Sequence, residues 1–104
     1  MSSLRYAIKV SKEGADVKAT WDISVDMSST EVIGNFTLTV DGKNLDTQCS
    51  GGNKACKSAA YTALSSPDQD CTVSFAITTN KPDSRDGKDV LRGAKKYDAV
   101  HFSS

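Results

Sequence analysis

Asp41-Gly42 stands between two runs of alternating apolar and polar side chains. In that setting an Asp-Gly pair is the strongest short-range signal for a two-residue β-hairpin. A type I′ turn pairs Val40 with Lys43, and counting back pairs Leu38 with Leu45, Phe36 with Thr47 and Gly34 with Cys49. This register gathers Gly34, Phe36, Leu38, Val40 and Cys49 on an apolar face and leaves Asn44, Asp46 and Gln48 on a polar one. All three cysteines, Cys49, Cys56 and Cys71, follow the turn within thirty residues or so, which makes Asp41 to Cys71 the stretch that the rest must pack around.

The remaining chain reads mainly as strands. Leu4, Tyr6, Ile8 and Val10 alternate with Arg5, Ala7 and Lys9, and Lys12 to Ala15 turns the chain. Val17, Ala19, Trp21, Ile23 and Val25 form the cleanest amphipathic strand, with Trp21 on its apolar side as a core anchor. Cys71, Val73, Phe75 and Ile77 mark another strand, and Asp98 to Phe102 a last one with His101 outward. Two segments predict helices. In the first, Ser50 to Asn53 breaks the hairpin and offers Asn53 as an N-cap, after which Cys56, Ala59, Ala60, Ala63 and Leu64 share a helical face. The second begins near Asp86, with Val90, Leu91 and Ala94 inward and Lys95 and Lys96 at its C-terminal end. Asn80 to Arg85, the longest polar connection, predicts a mobile loop. The expected fold is therefore α+β: a single domain over residues 1–104, two layers, a mainly antiparallel sheet with two short helices on one face.

Thirteen basic and thirteen acidic residues cancel, so no general field draws the chain to nucleic acid or to an anionic membrane. No apolar run approaches the roughly 20 residues of a membrane-spanning helix. The first residues lack the apolar core of a signal peptide, which fits either an intracellular protein or a mature domain. Three cysteines and the Asn35-Phe36-Thr37 sequon favour the mature extracellular domain, with a cytoplasmic protein as the alternative. Strand direction favours a Cys49–Cys56 disulfide. A bridge to Cys71 requires residues 65–70 to fold back, and the absence of any bridge is the third outcome.

Catalytic and metal-binding patterns are missing from the sequence. His101 is the single histidine, and the cysteine spacing matches none of the paired zinc patterns. There is no nucleophile elbow and no phosphate loop. Asp83 to Asp89 has acids and a glycine, but Arg85 occupies an alternate position and no Glu follows, unlike an EF-hand loop. The expectation is a protein without catalytic, cofactor or metal sites. What remains is surface recognition. Short polar groups on the sheet face, Thr20, Asp22, Asn35, Thr37, Asp46 and Gln48 foremost, can hydrogen-bond sugar hydroxyls, with Tyr61, Tyr97 or Trp21 available to stack on a ring.

The element order and composition resemble those of small secreted fungal defence proteins that bind glycans or modulate immunity. The likeness is carried by Thr20-Trp21-Asp22-Ile23-Ser24-Val25, the Asp41-Gly42 hairpin, and Cys49…Cys56 before an expected Ala-rich helix. It implies a non-enzymatic, lectin-like partner of a glycan or glycoprotein, often a homodimer, with no cofactor. The alternatives are a protein-binding effector or enzyme inhibitor acting through the 80–85 loop, or a structural subunit assembling through a sheet edge.

Overall fold

A computed structural model describes residues 1–93 and 99–104. Among these residues eight strands build two antiparallel sheets: β1 (Arg5–Glu13), β2 (Asp16–Ser24), β3 (Ile33–Val40), β4 (Lys43–Asn44), β5 (Ala55–Ala63), β6 (Cys71–Thr79), β7 (Arg85–Leu91) and β8 (Val100–Ser103). Sheet A has the order β5-β2-β1-β8 and sheet B the order β4-β3-β6-β7. The architecture is a β-sandwich, all-β among the described residues, and the expected α+β arrangement is incorrect. Each sheet's apolar face is covered by the other sheet, not by helices.

The central strands follow directly from their alternation. On β1 and β2, Ile8, Val10, Val17, Ala19, Trp21 and Ile23 are buried, and on β3 and β6, Phe36, Leu38, Val40, Val73, Phe75 and Ile77 meet them. Trp21, 2% exposed, sets its ring edge against Phe36 across the interface at 5.6 Å between centroids. Phe75 of sheet B lies between Tyr6 and Phe102 of sheet A, at 5.0 and 4.8 Å. Aromatic pairs tilted in this way add about 0.5–1.5 kcal/mol each beyond the area they bury.

The Asp41-Gly42 turn forms with both residues at positive φ (50° and 78°), and Val40 pairs with Lys43. The expected register continues in individual hydrogen bonds: Leu45 N donates to Leu38 O at 2.9 Å, and Thr47 Oγ1 donates to Phe36 O at 3.2 Å. It stops before Cys49, because Gln48 turns to φ 52° and the opposite strand has a bulge between Ile33 and Asn35. Ile33 therefore fills the core position expected for Gly34.

Both expected helices are corrected. Cys56 to Leu64 belongs largely to β5, which pairs with β2 over nine residues from Asp16↔Ala63 to Ser24↔Ala55. Asn53 is no N-cap: its backbone bridges Ile33 and its Nδ2 donates to Ser50 O. Asp86 to Leu91 lies in β7, paired with β6, while Ala94, Lys95 and Lys96 fall outside the described residues. The strand expected from Asp98 is seen as β8, with Val100 buried and His101 exposed. The 80–85 connection is pinned rather than free. Asn80 Oδ1 accepts from Val32 N, Asn80 Nδ2 donates to Thr30 O, and Asp83 Oδ2 accepts from Ser2 N.

Two polar contacts tie the sheets together at opposite ends. Glu31, 1% exposed, leads into sheet B and accepts hydrogen bonds from Ser2 Oγ, Ser3 N and Ser3 Oγ ahead of sheet A, and from Thr79 Oγ1 at the end of β6. Burial alone would raise its pKa, but these donors outweigh it and hold the carboxyl at about 2, against an ordinary 4.5. At the other end the buried Lys12 donates from Nζ to the Pro67 carbonyl.

All three cysteines are free thiols, so the expected Cys49–Cys56 bridge is not formed in this structure. Cys56 opens β5 with its thiol toward Thr47 O at 3.9 Å, and Cys49 sits beside it, half-buried against the core. Burial first, and then the neighbouring Cys56 thiol, pushes the Cys49 thiol up to about 12. Cys71 is the first residue of β6, where burial and then Asp41 raise its pKa.

Two outcomes follow. A Cβ built on Gly87 meets the Phe75 ring at 2.2 Å, so Gly87→Ala must displace the ring at the centre of the aromatic cluster. It is expected to cost about 1–3 kcal/mol in urea unfolding. The second concerns acid. Glu31 has a folded pKa below its unfolded value, so its stabilisation is complete above pH 4.5 and is lost as pH falls toward about 2. In Glu31→Gln the urea midpoint is expected to be lower at neutral pH and to fall less steeply across that acid window.

Candidate functional site

The alternation that buries one side of sheet A presents the other to solvent, and the ladder places its residues in rows. Lys9 is the cross-strand partner of both His101 and Thr20, and Thr20 is in turn the partner of Ala59. The next row runs Ser103, Ala7, Asp22, Lys57. Each row crosses four strands, about 14 Å at three interstrand spacings. Ala7 on a middle strand and Ala59 at the rim are short while longer side chains stand around them, leaving an open depression of about 730 Å³.

Among the described residues, the side chains of Lys9, Thr20, Asp22, Lys57, His101 and Ser103 make no hydrogen bond to the protein, though their partners are close enough in register to act together. Asp22 and Lys57 put opposite charges directly across the β2–β5 ladder, the favourable sense for a cross-strand pair. Toward the far end of the same face, Tyr61 is 70% exposed, and Lys18 Nζ lies 5.7 Å from its ring centroid. A second hollow of about 450 Å³ lies here, with Tyr61 and Lys18 on its wall.

Elsewhere some polar groups are engaged within the protein. On the outer face of sheet B, Thr39 Oγ1 and Ser74 Oγ are 2.5 Å apart. A hollow of about 480 Å³ near the N-terminus is lined by Ser2, Ser3 and Asp26. There, Ser2 and Ser3 are bonded to Glu31, and the Asp26 carboxylate takes the backbone N–H and hydroxyl of Ser28, which lower its pKa. Among the described residues no group of three His, Cys, Asp or Glu side chains is placed to hold a metal ion.

The six residues expected to form one polar face are divided among three places. Thr20 and Asp22 lie on the outer face of sheet A. Asn35 and Thr37 lie on β3 in sheet B, on the opposite side of the molecule. Asp46 and Gln48 are in the connection from β4 to β5, where Asp46 Oδ1 accepts from Gln48 N at 3.1 Å. Of the three aromatic candidates, Trp21 is buried, Tyr97 lies outside the described residues, and Tyr61 is on the same face as Thr20 and Asp22.

Lys9 and Lys57 were not among the expected binding residues. The alternation of β1 already turns Lys9 outward, so it was open to sequence reading. Lys57 sits in the segment with helical spacing, where a strand partner for Asp22 had no signal. Comparison with protein-family models, curated proteins and solved structures finds no match for this chain.

Proposed function

We propose that the protein is a non-enzymatic binding module that takes an acidic glycan on the outer face of sheet A. The observation that carries the reading is an open depression ringed by unengaged polar side chains on one sheet face, beside an exposed tyrosine. Thr20, Asp22 and Ser103 offer the short hydroxyl and carboxylate groups that pair with sugar hydroxyls. Lys9 and Lys57 flank the depression and suit a sugar carboxylate or sulfate, and the Tyr61 ring supplies a flat apolar surface for a sugar face. Because Lys9, Thr20 and Asp22 stand on the two middle strands of a four-stranded ladder, their backbone is held in place before any ligand arrives, which reduces the entropy cost of binding.

A glycan array containing neutral, uronate, sialylated and sulfated chains tests this reading. Binding to one acidic class is expected, weakening with added salt as exposed charge pairs are screened. Lys9→Ala and Asp22→Ala, both at exposed positions on strands away from the sheet edge, should each weaken the captured ligand about tenfold, or roughly 1.4 kcal/mol. Their melting temperatures should stay near that of the parent. Absence of binding across the array, or affinity untouched by both substitutions, would overturn the proposal.

A further inference from the structure

A sandwich of two open sheets has four edges, here β5, β8, β4 and β7. Exposed edges invite pairing with another strand unless they are short, charged or covered. β4 has two residues and β8 four, while β7 carries Arg85, Asp86, Lys88 and Asp89 among its seven. β5 differs: it is nine residues long, Ala-Cys-Lys-Ser-Ala-Ala-Tyr-Thr-Ala, with Lys57 its single charge.

Its free backbone groups can be assigned. Val25 N donates to Lys54 O just before β5, and Leu64 N donates to Ala15 O just after it. Hydrogen-bonded pairs alternate along an antiparallel ladder, so the even-numbered residues Cys56, Ser58, Ala60 and Thr62 direct their N–H and C=O groups toward β2. The odd-numbered residues Ala55, Lys57, Ala59, Tyr61 and Ala63 direct theirs outward. Among the described residues, no backbone hydrogen bond outside the β2 ladder ends on residues 55–63. Among the described residues, the side-chain hydrogen bonds of β5 engage inward side chains: Cys56 Sγ with Thr47 O, and Thr62 Oγ1 with Lys43 Nζ.

We propose that β5 is a homodimer interface, in which two copies pair β5 antiparallel about a twofold axis at Ala59 and join their A sheets into one sheet of eight strands. The occupant is a second copy because the strand is complementary to itself. Centring on Ala59 matches all nine residues, with Ala55 opposite Ala63 and Ala59 opposite its own copy. Each Lys57 then faces the other subunit's Tyr61, a cation–π pairing made twice. Centring on Lys57 would oppose two ammonium groups, and centring on Tyr61 would leave four residues of each strand without a β5 partner. The small side chains at 55, 59, 60 and 63 keep the approaching strand unobstructed. The two outer faces end on the same side, giving a continuous surface. This pairing stands whether or not that surface binds a glycan.

Sedimentation of the unmodified protein is expected to show a reversible monomer–dimer equilibrium. Ala59→Lys, at an exposed position, opposes two like charges at the axis and should raise the dimer dissociation constant about tenfold or more. Should that variant fold poorly, hydrogen exchange on the unmodified protein gives the same decision. Amides of Lys57, Ala59 and Tyr61 should gain protection with concentration, while those of Cys56, Ser58 and Ala60 remain protected throughout. A monomer at the highest attainable concentration would overturn the proposal, as would a dimer indifferent to Ala59→Lys or concentration-independent exchange at all three odd positions.

Discussion

The structure depends on one constraint: each sheet has a single apolar face, and each is the cover for the other. Trp21 against Phe36, and Phe75 between Tyr6 and Phe102, are the points at which the two faces interlock. Burying a side chain of this class is worth about 1.5–3 kcal/mol, more than any surface ion pair in the molecule can supply. Among the described residues the one ion pair, Arg92 with Asp70 at 3.5 Å, is largely exposed and contributes little by comparison. Polar contacts refine the packing at its rims. Glu31 joins the segments leading into the two sheets, and Lys12 closes the opposite end on Pro67.

The same constraint explains which parts of the fold were legible in the sequence. β2 and β1 are the middle strands of sheet A, and β3 and β6 those of sheet B. A middle strand has neighbours on both sides, so its inward positions are sealed and favour apolar side chains. These four show clear alternation, interrupted only near strand ends by Lys12 on β1 and Thr79 on β6. An edge strand lies at the rim, where its inward positions are only partly covered. The inward set of β5 is Cys56, Ser58, Ala60 and Thr62, which carries almost no hydrophobic signal. Its alanines fit a helix at least as well. Intrinsic preference between the two states is worth only a few tenths of a kcal/mol per residue, and nine ladder pairs with β2 override it. In β7 the inward position opposite Phe75 is Gly87, so the apolar group that fills the space belongs to the neighbouring strand.

The candidate site was legible in part for the same reason. Thr20 and Asp22 sit on a middle strand whose outward set could be read from alternation alone. Asn35 and Thr37 were read outward correctly, but outward from sheet B is away from Thr20, and nothing in a single-sheet reading separates the two directions. Lys57 reaches the site through β5, so mistaking that strand for a helix removed the residue opposite Asp22. Assigning β5 to the sheet edge places both Lys57 and Tyr61 on the outer face of sheet A.

Those two residues connect the surface chemistry to the edge. Polar side chains on a sheet face can hold a ligand only if the backbone beneath them keeps its spacing, and an edge strand is the least restrained part of any sheet. Lys57 and Tyr61 occupy that strand, held by β2 on one side alone. A second β5 would supply the missing ladder and restrain the same side chains from the other side. It would also set each Tyr61 ring between Lys18 of its own β2 and Lys57 of the neighbouring copy, fixing the ring's tilt. The alanine-rich character of β5 then has a single physical account: small outward groups keep the face low where a ligand would lie, and the same groups leave the edge open to its own copy.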